Sequence, residues 1–190
     1  MAIIGVVGQN GSGKDKVVKY LKEKYGIPFL SSGDIVREIA ARENVEGTRG
    51  NLSKISENLF RRHGKGYFMR QIAVKIVQNG WENAGISGIR APEDVQALKD
   101  AFGNRFFLIN VYVTNPQDRY IRMSQRGEAR DSLSNTEFER QDANEEKLFR
   151  ISETVKQADV SLSNDRTLED FHRAIEELII SRALINFPCL

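Results

Sequence analysis

The chain has 190 residues, 40% hydrophobic and 28% charged, enough for a single domain at ~150 residues each and too apolar for wholesale disorder. Lys plus Arg number 28 against 26 acids, a formal charge of +2, which argues against a dedicated nucleic-acid binder with its clustered basic footprint. One cysteine (Cys189) and two histidines (His63 and His172) exclude an internal disulfide and a zinc cage, and a reducing cytosol fits that usage. The longest strongly apolar run, Phe106 to Val113, is broken by Asn110, far short of the ~18 to 20 residues of a membrane span. Gly8-Gln9-Asn10 interrupts any secretory layout at the amino terminus. The expectation is a cytoplasmic protein with no membrane partner.

Strands and helices alternate along the chain. Ala2 to Val7 is a short apolar run that reads as a buried strand. Val17, Val18, Leu21 and Tyr25 recur at helical spacing before Gly26 and Pro28 stop them. Pro28 to Leu30 is a brief second strand, and Ile35, Val36 and Ile39 open another helix. Leu52, Ile55 and Leu59 mark a helix closed by Gly64, and Met69, Ile72, Ala73, Ile76 and Val77 one ended by Asn79-Gly80. Ala84 to Ser87 is a weak third strand. Pro92 opens a helix striped by Val95, Leu98 and Phe102. Phe106 to Val113 is the clearest strand, and Pro116 opens a helix that stops at Gly127. Ser134-x-x-Glu137 caps one long helix carrying Phe138, Leu148, Ile151 and Val155. Val160 to Ser163 is the last strand, and Thr167-x-x-Asp170 caps a final helix. The tail Ala183-Leu184-Ile185 is apolar enough to pack on another surface. This alternation predicts an α/β fold with a five-stranded parallel sheet between two helical layers.

The sharpest chemical signal is Gly8-Gln9-Asn10-Gly11-Ser12-Gly13-Lys14, between the first strand and the first helix. Such a glycine-rich run lets consecutive amides turn inward around phosphate oxygens, at a helix end that already favours anions. Lys14 adds a positive charge for the outer phosphates. The next residue is normally Ser or Thr, a magnesium ligand, and here it is Asp15. A carboxylate is also a hard oxygen ligand, so magnesium binding survives with an altered geometry.

Two later segments, Ser31-Ser32-Gly33-Asp34-Ile35-Val36-Arg37 and Ser87-Gly88-Ile89-Arg90, resemble the acceptor-binding motifs of the nucleoside monophosphate kinases, adenylate kinase in particular. The pattern is most similar to the adenylate-kinase-related proteins. The resemblance implies ATP and magnesium, with a nucleotide as acceptor. It implies an acceptor-binding insertion near residues 34 to 80 and a lid near 127 to 140. On the donor side it implies Gly8, Asn10, Gly11, Ser12, Gly13, Lys14, Asp15 and Lys16. On the acceptor side it implies Ser32, Gly33, Asp34, Arg37, Gly88 and Arg90, the two arginines gripping the acceptor phosphate with paired charged bonds. Arg126-Gly127-Glu128-Ala129-Arg130-Asp131 resembles the lid, which assigns Arg126 and Arg130, beside Lys14, to charge neutralisation during transfer.

In these kinases an aspartate ends the third strand and orients the metal's water shell, where this chain has Ser87. Carboxylate and hydroxyl have exchanged places between Asp15 and Ser87, which makes both candidate metal contacts. Ala158 to Asn164, followed by Thr167 to Asp170, is similar to the last strand and loop of dephospho-coenzyme A kinase, where that loop borders the adenine; Asn164 is the candidate. Dephospho-coenzyme A kinase and a nucleotide-binding regulator with little turnover stay open as alternatives. Arg119 and Arg122 share a helical face with Arg126. His63-Gly64-Lys65-Gly66 reads either as an acceptor contact or as a helix-ending turn.

Overall fold

The computed structural model describes residues 1–126 and 134–185. Five strands, β1 (Ile3–Val7), β2 (Phe29–Ser31), β3 (Ala84–Ser87), β4 (Phe106–Tyr112) and β5 (Val160–Ser163), form one parallel sheet in the order β2-β3-β1-β4-β5. All five strands of the sequence reading are present, with ends shifted by at most a residue or so. β1 sits at the centre, and every one of its residues is buried. A strand covered on both faces has no polar side to alternate, which is why it reads as a continuous apolar run.

The side chains of β1 divide between the two faces. Ile3 and Val7 join one core with α2 (Ser32–Arg42), α4 (Tyr67–Gln78) and α5 (Pro92–Phe102). Ala2, Ile4 and Val6 join the other, with α1 (Lys14–Tyr25) and α9 (Leu168–Ser181). β4 splits in the same way, sending Phe106 and Leu108 to the first core and Ile109 and Val111 to the second. This is the period of two that places alternate strand residues on opposite faces.

Between β2 and β3 run three helices, α2, α3 (Arg49–His63) and α4. Hydroxyl side chains cap four helices: Ser31 on α2, Thr48 on α3, Ser134 on α7 (Asn135–Phe149) and Thr167 on α9. Two expectations are corrected. The long helix after Ser134 is two helices, α7 and α8 (Ile151–Val155), because Arg150 turns left-handed at φ +55°. The apolar tail packs at home: Leu184 and Ile185 are buried in the core that α1 and α9 share. α6 (Pro116–Arg126) leads from β4 toward the lid region. Of the expected lid near 127 to 140, residues 127–133, with Arg130, lie outside the described residues, as does the side chain of Arg126, and 135–140 begin α7.

Candidate nucleotide site

The glycine-rich loop leaves β1 at its carboxyl end and enters α1, and three of its carbonyls accept side-chain bonds, two of them from distant residues. Lys14 Nζ reaches back to the Gln9 carbonyl at 3.4 Å. Arg119 Nη1 donates to the Asn10 carbonyl at 2.9 Å, and Asn164 Nδ2 to the Ser12 carbonyl at 2.8 Å. In a planar trans peptide the C=O and the next N–H point opposite ways. The Asn10 and Ser12 carbonyls, held by Arg119 and Asn164, therefore turn the amides of Gly11 and Gly13 the other way. The Gln9 carbonyl closes the turn by accepting from the Ser12 amide at 3.2 Å. Gly13 is left-handed at φ +88°, and a Cβ there would stand 2.3 Å from Asn164 Nδ2. α1 itself carries no side-chain cap. Ser12 is fully buried, and its Oγ has no hydrogen-bond partner. The Gly11 and Gly13 amides, an uncapped helix end and an unmatched hydroxyl make a cradle for an anion.

The cradle is braced by residues whose sequence signal was only a charged helical face. Arg119 is 3% exposed. It pairs with Asp142 of α7 through two bonds of 3.1 and 2.6 Å and lies 5.0 Å over the Phe138 ring. Arg122 Nη2 donates to the Asn164 carbonyl at 2.7 Å. Asn164 is itself buried, with its amide given to the loop. Behind it, Asp165 accepts from the Thr114 amide and hydroxyl and from Ser163, bonds that lower its pKa and tie the ends of β4 and β5 together. Asp15 sits half-buried in the first turn of α1, Lys16 is exposed, and Ser87 is buried at the end of β3.

The acceptor segments meet at the ends of β2 and β3, where Ser31 stands in register with Ser87. Gly88 is left-handed at φ +79°, and a Cβ there would lie 2.3 Å from Ser32 Oγ. Only a residue without a side chain lets the two loops approach so closely. Asp34 completes a capping box: it accepts from the Ser31 amide and hydroxyl at 2.7 Å each, while Ser31 Oγ accepts from the Asp34 amide. Arg37 Nη2 bonds Asp34 Oδ1 at 2.6 Å from an exposed position. Burial pushes the Asp34 carboxyl up, but the bonds from Ser31 and Arg37 outweigh it and hold its pKa below the ordinary value.

Arg90 follows Gly88 by two residues, and its guanidinium lies 5.2 Å over the Phe149 ring. Sequence reasoning passed over Asp94, which is buried and accepts from the amides of Gly66, Arg90 and Ala91 at 3.1, 3.0 and 3.0 Å. Burial raises its pKa against the pull of those amides. The signal was available, since Pro92 followed two residues later by an acid is a helix start. Through Gly66, Asp94 also joins the turn between α3 and α4 to the Arg90 loop. His63 ends α3 and stacks on Tyr67 with centroids 4.5 Å apart, and Gly64 and Gly66 border α3 and α4. The segment is a helix-to-helix turn. His172 stacks on Tyr20 between α9 and α1, at 4.1 Å.

A five-stranded parallel sheet in this order, with a phosphate cradle after its central strand, is the P-loop kinase fold. The shikimate kinase of Bacteroides thetaiotaomicron superposes with a TM-score of 0.62 at 16% identity, covering 96% of this chain and 98% of that one. The shikimate kinase of Acinetobacter baumannii, solved with shikimate, gives 0.59 at 17% identity over 97% and 96%. A family model described as an AAA domain matches residues 7–148. The UPF0200 protein of Thermococcus sibiricus is 36% identical over 178 residues, 93% of each chain, and that of Thermococcus onnurineus 34% over 179 residues, 93% of this chain and 96% of its own. The chain belongs to the AAA-domain family and, within it, to the UPF0200 proteins.

No helix among the described residues is long and apolar enough to cross a membrane. Among the described residues no group of three or more His, Cys, Asp or Glu side chains could enclose a metal ion. A magnesium ion here would rest mainly on phosphate oxygens, with Asp15 and Ser87 as the chain's own oxygen contacts, and would supply charge neutralisation.

Proposed function

We propose that the protein is an ATP-dependent kinase that transfers the γ-phosphate to a nucleoside monophosphate or a related nucleotide. The observation that carries this reading is the donor loop, whose Asn10 and Ser12 carbonyls are held by Arg119 and Asn164 at an uncapped helix start, beside the buried and unpartnered Ser12 hydroxyl. Gly8 to Lys16 hold the donor phosphates, and Lys14 neutralises charge on the transferring group. Asn164 and the turn after β5 border the base of the donor, with the Asn164 amide setting the loop. Ser32, Gly33 and Gly88 shape the acceptor floor, Asp34 fixes Arg37, and Arg37 and Arg90 take the acceptor phosphate. Arg126 and Arg130 close from the lid. Both acceptor loops stand at strand carboxyl ends, where open parallel sheets bind ligands.

A second reading has one observation in its favour. Arg37 is already paired with Asp34, so an acceptor phosphate must compete for it, whereas a hydroxyl acceptor on a larger nucleotide, as in dephospho-coenzyme A kinase, would not. Solved relatives of the fold include enzymes named for shikimate, a small hydroxylated acid. An acceptor screen separates the readings: ADP release from ATP and magnesium that requires a nucleoside monophosphate supports the first, and release that requires dephospho-coenzyme A supports the second. Tight ATP binding with no acceptor-dependent release would leave a regulator.

A further inference from the structure

The break between α7 and α8 is the feature least expected from the sequence. A non-glycine residue in the left-handed region is strained, and such strain persists where the surroundings over-determine it. Arg150 holds that conformation, at φ +55° and ψ +50°, and contacts from this break converge on the Arg90 loop. The Phe149 ring, buried with Ala91 and Ile151, lies under the Arg90 guanidinium. Arg150 Nη2 bonds Glu93 Oε1 at 2.5 Å. Thr154, fully buried in α8, donates its hydroxyl to the Arg90 carbonyl at 2.8 Å.

The main chain of Arg90 is therefore clamped on both sides by buried side chains, Asp94 on its N–H and Thr154 on its C=O. The guanidinium has an aromatic ring 5.2 Å from it, which favours that position through cation–π attraction. About 10 Å back along α7, at 1.5 Å per residue, Asp142 grips the Arg119 that holds the donor loop. One helix thus touches the supports of both substrate loops.

We propose that Thr154 and Phe149 are positioning residues that aim the Arg90 guanidinium at the acceptor phosphate. The proposal rests on the acceptor reading of Arg90. Phe149 lies before the left-handed turn at Arg150 and Thr154 after it, so a straight run of α7 into α8 could not keep both contacts.

The test titrates the parent and four variants, Arg90→Ala, Thr154→Val, Thr154→Ser and Phe149→Leu, with AMP, CMP, UMP and GMP. A non-hydrolysable ATP analogue is titrated alongside as the donor probe. Thr154→Val is expected to weaken binding of the preferred monophosphate roughly tenfold, the scale of one net hydrogen bond and its unpaired partner, with donor affinity unchanged. Thr154→Ser restores it, because the hydroxyl returns. Phe149→Leu keeps an apolar side chain at the site but removes the ring, and it weakens the same monophosphate. If Arg90→Ala weakens the monophosphate while Thr154→Val and Phe149→Leu do not, or if they weaken donor and acceptor alike, the positioning role is overturned. If the parent binds none of the four, or Arg90→Ala changes nothing, the acceptor reading falls and takes the proposal with it.

Discussion

The Arg119–Asp142 pair makes a quantitative prediction about the donor loop. The Arg119 side chain is 4% exposed and that of Asp142 19%, so the two partners differ in how well water can replace a lost contact. Asp142→Ala leaves a buried guanidinium with the Asn10 carbonyl as its remaining acceptor, and breaking a buried pair from one side costs about 3 kcal/mol or more. In a protein of this size that is a fall in Tm of roughly 6 to 12 °C. Arg119→Met keeps an aliphatic stem over Phe138 and leaves a carboxylate that water can reach, so its cost is smaller, about 1 to 2 kcal/mol. The double variant should cost no more than Arg119→Met alone, a coupling of about 3 kcal/mol, the whole cost of Asp142→Ala. Urea unfolding of the four proteins measures this cycle. An Asp142→Ala cost below ~0.5 kcal/mol, or one smaller than that of Arg119→Met, would show that the pair does not carry the strain argued here. Arg119→Met also frees the Asn10 carbonyl and should raise the KM for ATP.

The other predictions concern the chemistry. Lys14→Ala should keep the fold and lower turnover by orders of magnitude, because charge developing on the phosphoryl oxygens loses its nearest cation; steady-state ADP release measures it, and near-parental turnover would remove Lys14 from the donor site. Asp15→Ser should impair magnesium-dependent turnover, and adding Ser87→Asp should recover part of it, with a coupling of about 0.5 to 3 kcal/mol; additive losses would end the idea that the two groups have exchanged places around the metal. Asp34 has its folded pKa lowered, so its capping bonds stabilise the protein above the unfolded carboxyl pKa of ~3.9. That contribution is lost as pH falls through the lower folded value. Asp34→Asn should flatten the acid end of a Tm-against-pH curve, and an unchanged acid slope would contradict the assignment.

How far the sequence could be read depended on where the deciding partners lie. β1 and α1 were legible because their signals are local: an apolar run, a glycine loop, and Val17, Val18 and Leu21 at helical spacing. The caps at Ser134 and Thr167 are equally local. The arginines of α6 show the opposite case. Arg119 and Arg122 have the same spacing-level signal, yet one is buried against Asp142 and the other bonds the Asn164 carbonyl, and both partners lie more than twenty positions away. The break at Arg150 was hidden because arginine carries no signal for a left-handed turn, and what holds it there are Glu93 and the Arg90 loop. Leu184 and Ile185 read as an unpartnered apolar tail because the groove that receives them exists only once α1 and α9 have packed.

The central claim is that a phosphoryl group passes from ATP to the phosphate of a nucleotide. Phosphorus-31 NMR of a mixture of protein, ATP, magnesium and the acceptor selected by the screen observes the product bond directly. The account predicts that the acceptor's monophosphate resonance is replaced by the coupled pair of a nucleoside diphosphate as ADP accumulates. Free inorganic phosphate alone, or a new phosphomonoester on a sugar hydroxyl with the original phosphate intact, would contradict it.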